Sequence, residues 1–101
     1  MSDMQVSETI LQQLGGRKFI AMTGASNFIG GDGSLSARLP SGLASNKANG
    51  FRITLNSNDY YDIRFYRLRG TKFTELEGAT DIDAENLRST FERLTGLRTS
   101  L

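Results

Sequence analysis

The sequence contains no cysteine and no histidine, and these two absences exclude most familiar catalytic and metal-binding machinery. Without cysteine the chain cannot form a disulfide, which is consistent with a cytoplasmic setting. Without histidine it lacks the commonest general base, and without both it lacks the usual zinc ligands and the Ser–His–Asp and Cys–His groupings. We therefore expect a protein that is not an enzyme, with no catalytic residues, no metal site and no cofactor, although carboxylate, lysine or tyrosine chemistry stays open.

Long apolar runs are also absent. No stretch approaches the roughly 20 apolar residues that a membrane-spanning helix needs. The opening MSDMQVSETI lacks the basic start and apolar centre of a secretory signal. With 101 residues in total, the chain is expected to form one domain over residues 1–101, in the cytoplasm and without a membrane partner.

The net charge is only +1, but the charged residues are unevenly distributed. Residues 17–72 contain nine Lys and Arg against three acids, whereas residues 73–95 contain six acids against two Arg. A basic middle and an acidic C-terminal part can orient a charged partner even when the total charge is small. The competing interpretation is that the two sets of charges neutralise each other across the fold.

Residues 51–66 alternate apolar and polar side chains, which predicts a β-hairpin around a polar turn. Alternation with a period of two means that one face packs on a core while the other meets water or a partner. The inward positions are Phe51, Ile53, Leu55, Tyr61, Ile63 and Phe65. The outward positions include Arg52, Tyr60, Asp62, Arg64 and Tyr66.

The N-terminal region shows the apolar spacing of a short helix over residues 7–14. Ser7 is one candidate N-cap, and an earlier start at Ser2, with Gln5 completing a capping box, is the alternative. Gly15 and Gly16 are expected to end this helix.

Three further segments are predicted as strands. Arg17–Thr23 has an uninterrupted apolar run and is interpreted as a central strand covered on both faces. Residues 34–39 alternate cleanly before Pro40, which suits the end of a strand. Residues 72–77 follow the turn at Gly70 and are expected to add one more strand.

The C-terminal region predicts the clearest helix of the chain. Asp81 or Asp83 is expected to cap its start, a better explanation of these acids than a metal site, and Gly96 to cap its end. Residues 41–50 are small and polar and are interpreted as a mobile loop, and residues 98–101 as a loose tail.

These elements predict an α+β domain, with a mainly antiparallel sheet of about five strands and two helices packed on one face. Most of the core is expected to come from Phe19, Leu35, Ile53, Leu55, Ile63, Phe65, Leu87 and Phe91.

Residues 23–30, TGASNFIG, resemble the TGxxxGxG fingerprint of short-chain dehydrogenases, which bind a dinucleotide. Phe28 occupies the position of the middle glycine, which that family needs for close approach of the backbone to the phosphates. We therefore expect no dinucleotide here and interpret the segment as a flexible connection between strands. Phe28 and Ile29 either anchor it to the core or form an exposed apolar tip for a protein partner.

The outward side of the hairpin is the candidate binding surface. Arginine guanidinium groups and aromatic rings on an open sheet can contact phosphates and stack on nucleobases. The alternation can slip near residues 66 and 67, so the sequence leaves open which of these side chains face together. The candidate nucleic-acid-binding residues are Arg52, Tyr60, Arg64, Tyr66, Arg67, Arg69 and Lys72.

Four segments together resemble a family of short uncharacterised proteins carried by phages, prophages and plasmids. They are LGGRKFIAMTGASNF, RITLNSNDYYDIRF, RLRGTKF and TGLRTSL. The resemblance covers most of the chain and implies a mobile-element origin and a cytoplasmic product. It implies no activity and assigns no site residues.

Three functions therefore stay open. The chain is expected to be a small accessory protein that binds nucleic acid weakly or, alternatively, a module that regulates or inhibits a host protein through the same surface. A small enzyme would require Asp59 or Asp62 to lie in a pocket rather than in a turn. An exposed edge strand could also pair two copies into a homodimer, unless a helix covers that edge.

Overall fold

A computed structural model of the chain describes residues 3–31, 33–40 and 42–99, with side chains from Gln5 onward. Eight helices and strands follow one another in these residues, and a short 3-10 helix (Ala84–Asn86) leads into the last of them. They are α1 (Asp3–Leu14), α2 (Arg17–Thr23), β1 (Ser26–Gly31), β2 (Ser34–Arg38), β3 (Gly50–Leu55), β4 (Tyr61–Arg69), β5 (Lys72–Ile82) and α3 (Leu87–Thr95).

The five strands form one antiparallel sheet in the order β1-β2-β3-β4-β5, so each strand pairs with its neighbours in sequence. The α+β class and the five-stranded antiparallel sheet are confirmed. The number of helices was wrong, because the described residues contain three rather than two. None of these helices has the length and apolarity needed to cross a membrane.

Arg17–Thr23 is a helix and not the central strand that its apolar run suggested. Only Phe19 and Thr23 of this segment are buried, and they lie four residues apart on one face of α2. The Thr23 hydroxyl donates to the carbonyl oxygen of Phe19 at 2.7 Å, and Gly24 ends the helix in the left-handed conformation. A short apolar run does not distinguish a buried strand from a helix, and here packing of one helical face decided the outcome.

The first strand of the sheet is instead Ser26–Gly31, in the segment that was interpreted as a flexible connection. It pairs with β2 from Gly31 opposite Ser34 to Ser26 opposite Arg38, with an irregularity between Ser26 and Ile29. Backbone pairing with β2, together with Phe28 packed against the core, holds this strand in the sheet. Its glycines and small polar residues gave no strand signal in the sequence.

The expected helix ends are largely confirmed. The Gly16 N–H donates to the Leu11 carbonyl at 2.9 Å, where α1 ends. α1 begins at Asp3, which favours the earlier of the two predicted starts, although the Ser2 cap itself lies outside the described residues. The Asp83 carboxylate accepts from the Asn86 N–H at 3.0 Å before α3, and Gly96 closes that helix at φ 72°.

The core lies between the sheet and the three helices, around four phenylalanine rings. Phe19 of α2 and Phe91 of α3 both pack against Phe51 of β3, with ring centroids 6.0 and 5.3 Å away. Phe65 of β4 lies 5.7 Å from Phe91. Of the eight predicted core residues, seven are buried, and Leu55 is half-buried against the same cluster.

The loop before β3 and the C-terminal tail are both hydrogen-bonded to α3. The loop before β3 buries Ala44 and Ala48, and its Ser45 N–H donates to the Thr95 carbonyl at 2.7 Å. In the tail, the backbone N–H and the hydroxyl of buried Thr99 both donate to Glu92 Oε2 at 2.8 Å. These two bonds hold the pKa of the Glu92 carboxyl below its usual range.

Candidate nucleic-acid interface

The sheet face opposite the helices, termed the open face, carries the outward residues of the central strands, among them Arg52, Arg64 and Tyr66. Register places Arg52 of β3 directly opposite Arg64 of β4, and both side chains are exposed. The inward neighbours Ile53 and Ile63 are 0% and 1% exposed. The predicted orientation of the hairpin is therefore confirmed, and its arginines point toward solvent.

The two opposed arginines have different partners. Arg64 forms an ion pair with Glu75 of β5, in which both side chains are more than half exposed. Solvent and salt screen such a pair, so it contributes little to stability but reduces the charge that Arg64 offers to a ligand. Arg52 donates to the neutral Ser34 hydroxyl at 3.2 Å, which does not offset its charge. Within the described residues, neither Arg52 nor the exposed Arg38 forms an ion pair.

A stacked pair of aromatic rings lies on the same face. Tyr66 of β4 and Phe73 of β5 have ring centroids 5.3 Å apart and planes inclined by 27°. The Tyr66 ring covers Gly50 so closely that a methyl group there would collide with it. Phe73 is 61% exposed, so the pair presents an apolar surface to solvent. Such a surface suits stacking of a planar ligand.

Two shallow depressions meet at Tyr66. One, of about 440 Å³, is lined by Arg52, Arg64, Tyr66 and Phe73, with Glu75 at its side. The other, of about 480 Å³, adds Phe28, Ile29 and Arg38 from the first two strands. Phe28 is half-buried against the core, as expected if it anchors this segment. Ile29 is 65% exposed, as expected of an apolar side chain that is open to a partner.

Arg67 and Arg69 do not extend the open face. The pairing of β4 with β5 runs without a break from Tyr66–Glu75 to Arg69–Lys72, so the alternation does not slip. Successive side chains of a strand point to opposite faces. Arg67 and Arg69 therefore project toward the other side of the sheet, where both line a recess with Lys47.

Tyr60 and Lys72 lie near opposite ends of β4. Tyr60 precedes β4 in the turn, is 44% exposed, and its carbonyl accepts from the Asn56 N–H at 2.8 Å. Six residue steps of extended chain put it about 20 Å from Tyr66, too far for both rings to stack on neighbouring bases. Lys72 begins β5 and is exposed. Of the seven candidates, the structure thus brings together Arg52, Arg64 and Tyr66.

Sequence reasoning missed Phe73, Arg38 and the residue that positions the end of β4. Asn49 is buried and exchanges two hydrogen bonds of 2.8 Å with the N–H and carbonyl of Leu68. Its own N–H donates to the Tyr66 carbonyl at 3.0 Å. Asn49 thereby continues the ladder beyond Gly50 and fixes the backbone between the open face and the recess. In the sequence, only the position of Phe73 in the alternating pattern of the predicted strand 72–77 could have indicated that its side chain is exposed.

The acids proposed for an enzyme have structural partners. Asp59 is exposed in the turn at φ 64°. Asp62 is half-buried, and its Oδ1 accepts from the Asn56 side chain and the Asp81 N–H, both at 3.0 Å. Nearby Tyr61 is buried, which raises the pKa of its hydroxyl. Among the described residues, no group of three or more acids is placed to hold a metal ion.

No family model matches the chain, and no curated protein and no solved structure is significantly similar to it. The arrangement of its own side chains therefore carries the functional argument.

Proposed function

We propose that this chain is a non-enzymatic accessory protein of a mobile element that acts in the cytoplasm and binds single-stranded nucleic acid weakly through its open face. The observation that carries the proposal is the Tyr66–Phe73 stack, with its exposed Phe73 ring, beside Arg38 and Arg52. Bases of a single strand are unpaired and can stack on such rings, whereas the bases of a duplex are already stacked on each other.

The charges and rings of this face support a weak interaction. Stacking of one base on an aromatic side chain contributes about 1–3 kcal/mol. Arg64 is partly neutralised by Glu75, which leaves Arg38 and Arg52 as the cations free to meet phosphate. Two phosphate contacts give a slope of log K against log salt of about −1.4 for a single strand. Binding should then weaken about sevenfold between 50 and 200 mM salt.

The test is fluorescence anisotropy with a labelled 5′-hydroxyl oligothymidylate of about a dozen nucleotides, within the usual range of site sizes. We expect saturable binding at low salt, a loss of about fivefold or more for Phe73→Thr, and a flatter salt dependence for Arg38→Gln with Arg52→Gln. The matched control is Arg17→Gln with Lys18→Gln, which removes two exposed charges from α2.

Two results would reject nucleic-acid binding at this face. One is the absence of any anisotropy change at high protein concentration and low salt. The other is a loss of binding in the α2 control equal to that of the open-face variants. The attraction would then come from the overall charge of the protein rather than from this face. Circular dichroism spectra of each variant would establish that it is folded.

A protein-interaction module is the second candidate, and exposed apolar side chains on the same face favour it. Ile29 and Phe73 are 65% and 61% exposed and lie on either side of Tyr66. An affinity pull-down from host lysate with nuclease present separates the two candidates. A specific protein that is retained by the parent chain and lost with Ile29→Thr would support this role, and an empty pull-down would count against it.

The expected homodimer stays a prediction. β1 and β5 are the two edges of the sheet, and β5 is mostly exposed. It also carries several charges and an irregularity near Gly78, both of which are common features of edges that do not pair with another copy.

A further inference from the structure

A basic recess lies on the opposite side of the sheet from the open face, where the loop before β3 meets the end of β4. It has a volume of about 480 Å³. Three cations line it, Lys47 from the loop and Arg67 and Arg69 from β4, together with Ser45, Asn49 and two small residues. No carboxylate belongs to this lining, and within the described residues none of the three cations forms an ion pair.

Both walls of the recess are held in place. On one side, Asn49 bonds the backbone of Leu68, which fixes the residue between the two arginines. Arg67 and Arg69 are two positions apart on one strand, so their backbones lie about 7 Å apart and their side chains leave on the same face. On the other side, the Ser45 N–H is bonded to the end of α3, and the Lys47 N–H donates to the Ala44 carbonyl at 3.0 Å.

Three like charges in one recess repel each other, and an anion that binds among them relieves this repulsion. The planar guanidinium group of arginine matches two oxygens of a phosphate at once, and lysine adds a compact charge with three donors. The volume falls within the range of small-molecule sites. These features together fit a doubly charged phosphate group better than a single carboxylate.

We propose that this recess is a binding site for a terminal phosphate group, held by Lys47, Arg67 and Arg69. Such a group could belong to a free nucleotide or inorganic phosphate, or to the 5′ end of a nucleic acid. The site goes beyond the proposed function, because it lies on the other side of the sheet and uses none of the open-face residues.

The test measures thermal unfolding of the full chain with sodium phosphate, thymidine 5′-monophosphate and a 5′-phosphorylated oligothymidylate. Thymidine, the 5′-hydroxyl oligonucleotide and sodium chloride of equal ionic strength are the matched controls. A ligand that binds only the folded protein raises the melting temperature in a saturable manner. We expect this increase with the phosphorylated probes over their controls.

Two variants locate the effect. Lys47→Asn with Arg69→Gln removes two exposed cations, and Asn tolerates the left-handed backbone at residue 47, where φ is 67°. This double variant should weaken binding of the phosphorylated probes at least about tenfold, since each removed side chain would donate a charge-assisted bond to the phosphate. Arg17→Gln with Lys18→Gln and the open-face variant Phe73→Thr should both retain it. If the double variant does not fold, Arg69→Gln alone serves the same purpose.

The arms of the experiment also identify the source of the phosphate. Tight binding of the small molecules, with no advantage of the phosphorylated oligonucleotide over its 5′-hydroxyl form, indicates a free nucleotide or inorganic phosphate. Tighter binding of the phosphorylated oligonucleotide indicates a nucleic-acid end. The site is refuted if no phosphorylated probe raises the melting temperature above its control, or if the double variant responds like the parent.

Discussion

Replacing Asn49 by alanine should destabilise the fold although it removes only a small polar side chain. The change deletes the two hydrogen bonds that the Asn49 carboxamide exchanges with the Leu68 backbone. Each such bond contributes about 1 kcal/mol net, and leaving a partner unsatisfied adds to the loss. Leu68 is half-buried, so water satisfies part of what is lost. We expect a decrease in the free energy of unfolding of about 2–3 kcal/mol.

Urea denaturation followed by circular dichroism measures this decrease. The midpoint should fall while the slope with denaturant stays unchanged, which marks a change in stability and not in the surface exposed on unfolding. Asn58→Ala is the matched control: this residue is exposed in the β3–β4 turn and should change stability by less than about 0.5 kcal/mol. A loss for Asn49→Ala no larger than that of the control would refute the positioning role assigned to this side chain.

Two other predictions concern structural details of the same sheet and of the tail. Gly78→Ala should cost more than about 2 kcal/mol in thermal unfolding, because its methyl group would collide with the Ile63 carbonyl oxygen; an unchanged melting temperature would contradict the irregular pairing described for β5. Because the folded pKa of Glu92 is lowered, its contribution to stability is present above the unfolded pKa and is lost as pH falls through the lower folded value. Glu92→Gln should therefore flatten the acid side of the stability–pH curve, and an unaltered curve would show that the Thr99 bonds do not stabilise the fold.

The hairpin could be predicted because its signal is local. Alternation across residues 51–66 fixes which side chains point inward, and Ile53, Ile63 and Phe65 are buried as expected. The helical face of α3 and its glycine cap are equally local features. In each of these cases the period of the sequence pattern matches the face that is buried. The local pattern and the packing of neighbouring elements therefore favour the same structure.

The remaining features depend on contacts between distant residues. α2 is a helix because Phe19 reaches Phe51 and Phe91 from one helical face, and no local pattern shows those partners. Arg67 and Tyr66 point to opposite faces of the sheet only where β4 keeps its regular alternation. The irregularities of the β4–β5 pairing leave the alternation at residues 66–69 intact. Lys47 joins the recess from a loop that is 20 residues away from Arg67 along the chain.

The strand order of the sheet has a kinetic consequence. Every ladder joins consecutive strands, so the sheet can assemble as a series of hairpins, three of which close short loops and one of which closes the longer loop 39–49. The costly step is then the meeting of the first and last helices, since α1 contacts α3 from the far end of the chain. Docking of α1 against α3, rather than formation of the sheet, should set the barrier to folding.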